Sequence, residues 1–194
     1  MGTTLLECEG GKLRLPDRRL VLVDRADGGN LVVIPPRPVW ERSELSPAEL
    51  TLFSFLVAAA GAAMLDTLPQ LSGGCVNYWE AGNWSLHDDA APRGKKRARE
   101  HRSVHLHLLG RSPDARHPSW RWGEAPRFPG FADRYEWAAG FARLTPSECA
   151  PVVARAVALL TTRYGVDARR VAGGTPCPTC SYPTVGPCEE CRST

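Results

Sequence analysis

Short apolar runs in the first half of the chain predict β-strands. Three of them cover residues 12–15, 19–24 and 31–34, and the turn-forming sequences Pro-Asp and Asp-Gly-Gly-Asn separate them. Leu, Val and Ile fill most of the second and third runs, as strands at the centre of a sheet require. Two later runs, residues 75–79 and 104–109, predict further strands.

Two capping sequences predict the long helices. Ser46 precedes Pro-Ala-Glu and opens a largely apolar stretch over residues 50–65, and Thr145 precedes Pro-Ser-Glu in the same way. The second helix is expected to end near Gly165. The order of strands, helix, strands and helix predicts an α+β fold, with a mainly antiparallel sheet and two principal helices on one face.

The composition of the 194-residue chain is that of a globular protein, with 43% apolar and 23% charged residues. The net charge of +3 is uneven, because residues 93–102 contain six basic side chains and one acid. They belong to a basic insertion of the main domain at about 85–102. The insertion is either a flap whose basic side chains bind polyphosphate or nucleic acid, or a solvated loop without a ligand. Nucleic acid is not the favoured partner.

No membrane or export segment is expected. The apolar stretch over residues 50–65 is interrupted by polar residues and glycine and is predicted to be too short to cross a bilayer. The first twenty residues contain acids, Gly and Pro and no apolar core of a signal peptide. A cytoplasmic protein is therefore the expectation.

A strand with two histidines carries the most informative chemistry. If the strand begins at Ser103, that hydroxyl lies on one face with His105 and His107, because side chains alternate with period two. The other face is apolar and can pack on helices. By spacing alone, the histidines form either a reactive pair in a cleft, a metal-binding pair, or two surface side chains.

This strand resembles the histidine triad family, whose signature is His-φ-His-φ-His-φ-φ with φ apolar. The upstream sequence also matches, with Leu-Val ending at Asp24 and Asn-Leu-Val-Val-Ile-Pro beginning at Asn30. Ser-Pro-Ala-Glu-Leu then opens a helix as it does in the family. The resemblance covers roughly residues 12–165 and implies a histidine-triad-like fold.

The resemblance implies a role for each matching residue. His105 would attack the α-phosphorus of a nucleotide or nucleotide conjugate, and His107 would assist at the phosphate and the leaving group. Asp24 would hold the ribose hydroxyls, since a carboxylate accepts hydrogen bonds from both. The implied activity is that of a nucleotide hydrolase or nucleotidyltransferase. Family proteins are often homodimers, and a homodimer is expected here.

The departures from the family pattern concern the proton supply. Ser103 stands where the family has its first histidine, and Pro38 and Asn30 replace two others. Either the leaving group departs without acid assistance, as pyrophosphate, phosphate or acyl groups do, or another side chain donates the proton to the leaving group. His87 and His101 are candidates, unless they are solvated loop residues. A nucleotide- or nucleic-acid-binding protein with degenerate catalysis is the alternative to an enzyme.

The sequence suggests further binding residues. Residues 78–85 resemble a family segment in which Asn83 and Ser85 would contact phosphate or ribose. The same segment resembles galactose-1-phosphate uridylyltransferases, a second alternative, although these have Gln where this chain has His107. Arg111 is a candidate phosphate contact. Two tryptophans, Trp120 and Trp122, either stack on a base or cover the edge of the core.

Four cysteines near the end of the chain predict a structural zinc site. They form two Cys-x-x-Cys pairs seven residues apart, which suits tetrahedral zinc: Cys177, Cys180, Cys188 and Cys191. A redox Cys-x-x-Cys is the alternative and leaves the second pair unexplained. The chain is thus divided into a catalytic domain at 1–172 and a zinc-knuckle tail at 173–194. The remaining cysteines, Cys8, Cys75 and Cys149, are expected to be buried thiols.

Overall fold

One six-stranded antiparallel sheet organises the protein. The computed structural model describes residues 2–80 and 82–170, and the sheet has the strand order β4-β5-β3-β2-β1-β6. The strands are β1 (Thr3–Cys8), β2 (Gly11–Leu15), β3 (Asn30–Ile34), β4 (Cys75–Glu80), β5 (Leu106–Arg111) and β6 (Ala168–Arg170). The α-helices are α1 (Pro47–Thr67), α2 (Ala98–His101), α3 (Arg134–Ala139) and α4 (Pro146–Tyr164). The predicted α+β class is confirmed.

The two long helices begin at the predicted caps. The Ser46 hydroxyl accepts a hydrogen bond from the Glu49 N–H of α1, and the Glu49 carboxylate accepts one from the Ser46 N–H. The same reciprocal pair joins Thr145 and Glu148 at the start of α4. Each box satisfies N–H groups that would otherwise lack partners in the first turn. Gly165 ends α4 in the left-handed conformation at φ 65°.

The main core lies between one face of the sheet and the helices α1 and α4. Leu13, Leu31 and Leu108 point from three different strands into this core and are fully buried. They meet apolar residues of both helices, such as Leu56 of α1 and Val152 of α4. Both principal helices therefore lie on one face of the sheet, as predicted.

Helix α1 is longer than the apolar run suggested. Its 21 residues are sufficient, by length and composition, to cross a membrane, so the expectation that this run is too short is wrong. In the structure, Phe53, Leu56 and Met64 of this helix are buried in the main core. The exposed side of α1 includes Leu50 and Leu65.

The opposite face of the sheet is covered by the irregular chain that follows β5. Trp120 lies in this segment and is completely buried against Leu22, Val23 and Leu109. Phe128 of the same segment packs on this second cluster. This covering segment begins after Arg111, where β5 ends, and contains one 3₁₀ turn at Pro118–Trp120.

The predicted strand at residues 19–24 does not form. Short 3₁₀ turns at Arg18–Leu20 and Arg25–Asp27 occupy both of its ends. Between them, the N–H groups of Leu22 and Val23 donate to the side-chain oxygen of Asn30, at 3.1 and 3.4 Å. A side-chain amide thus takes the place of a neighbouring strand, and Val21, Leu22 and Val23 are buried without sheet pairing.

The sequence pattern missed several elements. β1 and β6 were not predicted, and β6 is held to the sheet by three residues paired with β1. The six-residue helix α3 and the short helix α2, which lies within the basic insertion, were also missed. The histidine strand begins at Leu106 and not at residue 104, so Ser103 and His105 precede it.

Candidate functional site

Strand β5, which lies between the edge strand β4 and β3, brings the two histidines together. His107 is paired in register with Trp79 of β4 and Val32 of β3. His105 directly precedes the strand, and its ring centroid lies 5.0 Å from that of His107, edge to face at 72°. Leu106 and Leu108 point into the main core. The predicted alternation therefore holds through His105 and His107, although the strand starts late.

One hydrogen bond determines the tautomer of His105. Its Nδ1 lies 2.8 Å from the backbone carbonyl oxygen of Ser103. A carbonyl oxygen only accepts, so Nδ1 must carry the hydrogen and Nε2 keeps a free lone pair while the ring is neutral. The ring is also partly open to solvent. His105 thus has the geometry of an oriented nucleophile or base.

The second imidazole is kept neutral by its surroundings. Burial lowers the pKa of His107 to about 3, and the adjacent His105 contributes in the same direction. Within the described residues, His107 Nδ1 is buried and has no hydrogen-bond partner. A neutral imidazole still donates one N–H bond, so His107 can bind a phosphate oxygen without bringing a positive charge.

The low pKa of His107 predicts a pH-dependent loss of stability. In the unfolded chain this group titrates near 6.5, so between pH 6.5 and 3 the unfolded state binds the extra proton and stability falls as pH falls. From pH 7 to pH 5, wild type should lose about 2 kcal/mol more unfolding free energy than His107→Gln. Urea unfolding of both proteins at each pH measures the difference. Equal losses in the two proteins would show that His107 titrates normally.

Asp24 is already engaged with the backbone. Its two carboxylate oxygens accept hydrogen bonds from the N–H groups of Ala26, at 2.8 Å, and Ala142, at 2.7 Å. The residue therefore caps a 3₁₀ turn and ties the chain before α4 to the chain before β3. Each ionised oxygen has a second lone pair, so ribose binding by Asp24 stays a prediction.

The other predicted site residues lie apart from the histidines. Arg111 ends β5 six residues after His105, about 20 Å along an extended strand. Its side chain is buried and donates to the carbonyl oxygens of Arg121 and Glu124. The Arg111 guanidinium therefore anchors a loop, and its contact with phosphate stays a prediction.

Asn83 and Ser85 lie on a 3₁₀ turn that follows β4. The Ser85 hydroxyl donates to the Gly82 carbonyl oxygen at 2.7 Å, and the Asn83 side chain is exposed. Gly82 has a φ of 93°, a conformation that favours glycine and sets the direction of this turn. Contacts of Asn83 and Ser85 with phosphate or ribose stay predictions.

An aromatic stack beside His107 was not predicted. Trp79 of β4 lies with its ring centroid 5.5 Å from that of His107, and Phe128 stacks on Trp79 at 3.9 Å with the planes 10° apart. Asn77 and Leu109 join these two rings in lining a cavity of about 440 Å³. Trp79 is the cross-strand partner of His107, so strand alternation in the sequence could have predicted that both side chains share a face. No sequence signal predicted Phe128, which only the fold brings to this position.

Three of the six Lys and Arg side chains of the basic insertion form ion pairs with acids. Arg102 donates to Glu80 at 3.1 Å and to Glu41 at 2.8 Å, and only 14% of its side chain is exposed. Arg99 pairs with Glu44 at 3.2 Å. These contacts fix the insertion to the chain after β3 and to β4. They favour a structural role over a free basic flap for this part of the insertion.

The predicted zinc ligands lie outside the described residues. Within residues 2–80 and 82–170, no cluster of three or more His, Cys, Asp or Glu side chains is arranged to hold a metal. The other cysteines differ from the expectation in part. Cys149 is buried, which raises its thiol pKa to about 12, whereas Cys8 is half-buried and Cys75 is exposed.

Comparison with solved structures gives distant neighbours of this fold. A solved histidine triad protein from Sinorhizobium meliloti is 18% identical, with a TM-score of 0.44 and coverage of 79% of this chain and 89% of that one. No family model and no curated protein matches the sequence. The fold and site define an α+β protein with a two-histidine site on β5, the strand next to the edge strand β4.

Proposed function

We propose that the protein is a nucleotide hydrolase or nucleotidyltransferase of the histidine triad type, acting at an α-phosphorus. The observation that carries the proposal is the 2.8 Å hydrogen bond from His105 Nδ1 to the Ser103 carbonyl oxygen. It leaves Nε2 of His105 unprotonated and fixes the orientation of the ring. An oriented neutral imidazole is a suitable nucleophile at neutral pH.

The first step would transfer the nucleotide to the enzyme. His105 Nε2 attacks the phosphorus, a P–N bond forms, and the bond to the leaving group breaks with its electron pair going to the departing atom. In the second step, water or an acceptor attacks the same phosphorus and the P–N bond breaks. Hydrolysis then releases a nucleoside monophosphate, and transfer releases a new conjugate.

The neighbouring groups suit the charge that develops on the phosphate. His107 is neutral because burial lowers its pKa to about 3, so it would donate an N–H to a non-bridging oxygen. The Ser103 hydroxyl is exposed beside His105 and would supply a second donor. Since the chain before β5 is held by the Val104 N–H bond to the Val39 carbonyl, these donors are ordered before the substrate arrives.

The aromatic stack supports a nucleotide as the substrate. Trp79 and Phe128 line a cavity of about 440 Å³, within the size range of small-ligand sites, and Trp79 adjoins His107. Asn77 adds an amide to this cavity, which can hydrogen-bond a base edge. Asp24, Asn83 and Ser85 would supply ribose and phosphate contacts.

A binding protein without turnover is the second candidate. Ser103 favours it, because a serine hydroxyl does not carry a proton to a leaving group at neutral pH. A uridylyltransferase-like exchanger is less favoured, since His107 stands where those enzymes have Gln. The paired arginines of the basic insertion also argue against nucleic acid as the main ligand.

Turnover of a nucleotide panel separates these functions. Wild type should convert nucleoside phosphoramidates, acyl-nucleotides or dinucleoside polyphosphates to nucleoside monophosphates, as measured by chromatography. A sugar phosphate added as acceptor should leave the product unchanged if hydrolysis is the activity. Tight binding of nucleotides without any product would favour the binding protein.

We also propose that the cysteine tail binds one structural zinc ion per chain. Four thiolates fill a tetrahedral site, and zinc would supply the folding energy of a tail too short for its own core. Elemental analysis should find about one zinc per wild-type chain and far less in Cys180→Ser. Cys75→Ser, at an exposed cysteine outside the tail, is the control and should keep its zinc. Reduced wild-type protein free of zinc would contradict the proposal.

Two further expectations from the sequence stay part of the proposal. We propose a homodimer, which light scattering of the purified chain tests directly. We also propose a cytoplasmic location, which cell fractionation tests.

A further inference from the structure

The residues on both sides of Ser103 are held against the segment that follows β3. Val104 is buried in a small cluster with Val39, and its N–H donates to the Val39 carbonyl oxygen at 2.8 Å. The Arg102 guanidinium donates to the Trp40 carbonyl oxygen at 2.6 Å. Two successive carbonyl groups of that segment are therefore bonded by the two neighbours of Ser103.

The Val104 hydrogen bond sets the direction of the Ser103 carbonyl group. A trans peptide is planar, so its N–H and its C=O point to opposite sides. The N–H of the peptide between Ser103 and Val104 points at Val39. The C=O of the same peptide therefore points the other way, where it accepts the hydrogen bond from His105 Nδ1 at 2.8 Å. A rotation of this peptide would break the bond that holds the His105 ring.

Arg102 joins three parts of the chain beside this peptide. Its Nη1 donates to the Trp40 carbonyl oxygen and, at 2.8 Å, to the Glu41 carboxylate. Its Nη2 donates to the carboxylate of Glu80, at the end of β4, at 3.1 Å. The planar guanidinium fixes the directions of these charge-assisted bonds. Only 14% of the Arg102 side chain and 10% of the Glu80 side chain are exposed, so solvent screens this pair little.

Removal of the guanidinium would affect the three acceptors unequally. Glu80 would keep a cation, because the Nε of Arg42 lies 2.7 Å from its other carboxylate oxygen. The end of β4 would therefore stay neutralised, and we expect the protein to fold. The tie between residues 39–41 and residues 102–104 would loosen, and with it the direction of the Ser103 carbonyl group.

We propose that Arg102 is a positioning residue for His105. The proposal rests on the function proposed above, in which His105 is the nucleophile. Arg102 holds residues 39–41, these residues orient the peptide after Ser103, and that peptide fixes the ring. Without the carbonyl acceptor, the His105 ring can carry its hydrogen on Nε2, which then has no lone pair for the attack on phosphorus.

Arg102 acts through the backbone and not as a contact for the phosphate. Its guanidinium is mostly buried and already donates to two carboxylates and one carbonyl oxygen. Its replacement should therefore lower the rate of the chemical step and leave the affinity for the nucleotide nearly unchanged. A residue that binds phosphate directly would show the opposite division.

The first test observes the His105 ring without any substrate. Proton–nitrogen NMR at about pH 8, where an ordinary imidazole is neutral, distinguishes protonated from unprotonated ring nitrogens. The His105 signals are those missing from His105→Ala. Wild type should show a hydrogen on Nδ1 alone, and Arg102→Met should show a mixture of the two tautomers. Arg99→Met is the matched control, since Arg99 belongs to the same insertion and pairs with Glu44 at 3.2 Å. It should match wild type.

The second test measures the chemical step in the same variants. Single-turnover formation of the nucleotide adduct should be about 10-fold slower or more in Arg102→Met, with a nucleotide Kd within about threefold of wild type. Arg99→Met should keep both values. Arg102→Lys replaces the first variant if Arg102→Met does not fold. A single ammonium lacks the guanidinium fork, so this variant should also show mixed tautomers and a slower step.

The outcomes separate this proposal from the function on which it rests. Wild-type His105 signals in a folded Arg102 variant would overturn the positioning role, whatever the rate of that variant. Mixed tautomers with an unchanged rate of adduct formation would overturn it as well. If wild type forms no adduct with any nucleotide, the proposed function fails, whereas mixed tautomers in the variant alone would still show that Arg102 fixes the ring.

Discussion

His105→Ala should lose at least about a thousandfold in turnover while nucleotide binding persists. Covalent catalysis requires the Nε2 lone pair, which alanine removes, whereas the Trp79 and Phe128 stack that would hold a base is left in place. Rapid quench and intact-mass analysis should detect a nucleotide adduct on wild type and none on the variant. Calorimetry should give dissociation constants for the two proteins that agree within about tenfold.

The control for this experiment is His87→Ala, a histidine on an exposed loop. It should form the adduct at the rate of wild type. Undiminished turnover of His105→Ala would exclude the covalent mechanism and would direct the search to another site or to the binding-protein function. If His105→Ala lost both nucleotide binding and turnover, the result would instead indicate that the His105 ring holds the nucleotide.

Trp120→Ala should destabilise the protein by about 3–5 kcal/mol, the usual cost of removing a fully buried large aromatic. Trp120 is 0% exposed, and its indole N–H donates to the Leu22 carbonyl oxygen at 3.3 Å. The Arg111 guanidinium lies 5.2 Å from its ring, so the variant also disturbs the anchor of the covering loop. Chemical denaturation measures the loss.

Trp122→Ala is the matched control, since this tryptophan is 48% exposed. Its unfolding free energy should lie within about 0.5 kcal/mol of wild type. Similar losses in both variants would mean that burial does not explain the effect. The sequence left open whether Trp120 covers the core or stacks on a base, and burial favours the covering role.

Local patterns were sufficient for the two long helices and for most central strands. Ser46 and Thr145 predicted where α1 and α4 begin, because a capping box is formed by residues within one turn. Alternation predicted that His105 and His107 share a face, since the period of an extended chain is a local property. The run at 31–34 became β3, extended by Asn30.

Equally clear sequence patterns gave a wrong prediction where residues far apart in the chain determine the local structure. The apolar run at 19–24 has the composition of a strand, yet Leu22 and Val23 give their N–H groups to the Asn30 side chain. Two indole N–H groups, from Trp120 and Trp137, then take the Leu22 carbonyl oxygen. No sequence window contains all these partners, so composition alone predicted the wrong structure.

The candidate site shows the same division. The sequence by itself was sufficient to identify the two histidines as candidate site residues and to predict their common face and the α+β class. Strand period and helix capping depend only on neighbouring residues. Only the tertiary structure decided that His107 is neutral, that Arg111 anchors a loop and that Arg102 binds the chain after β3. Burial and charge pairing depend on residues far apart in the chain, and folding alone brings them into contact.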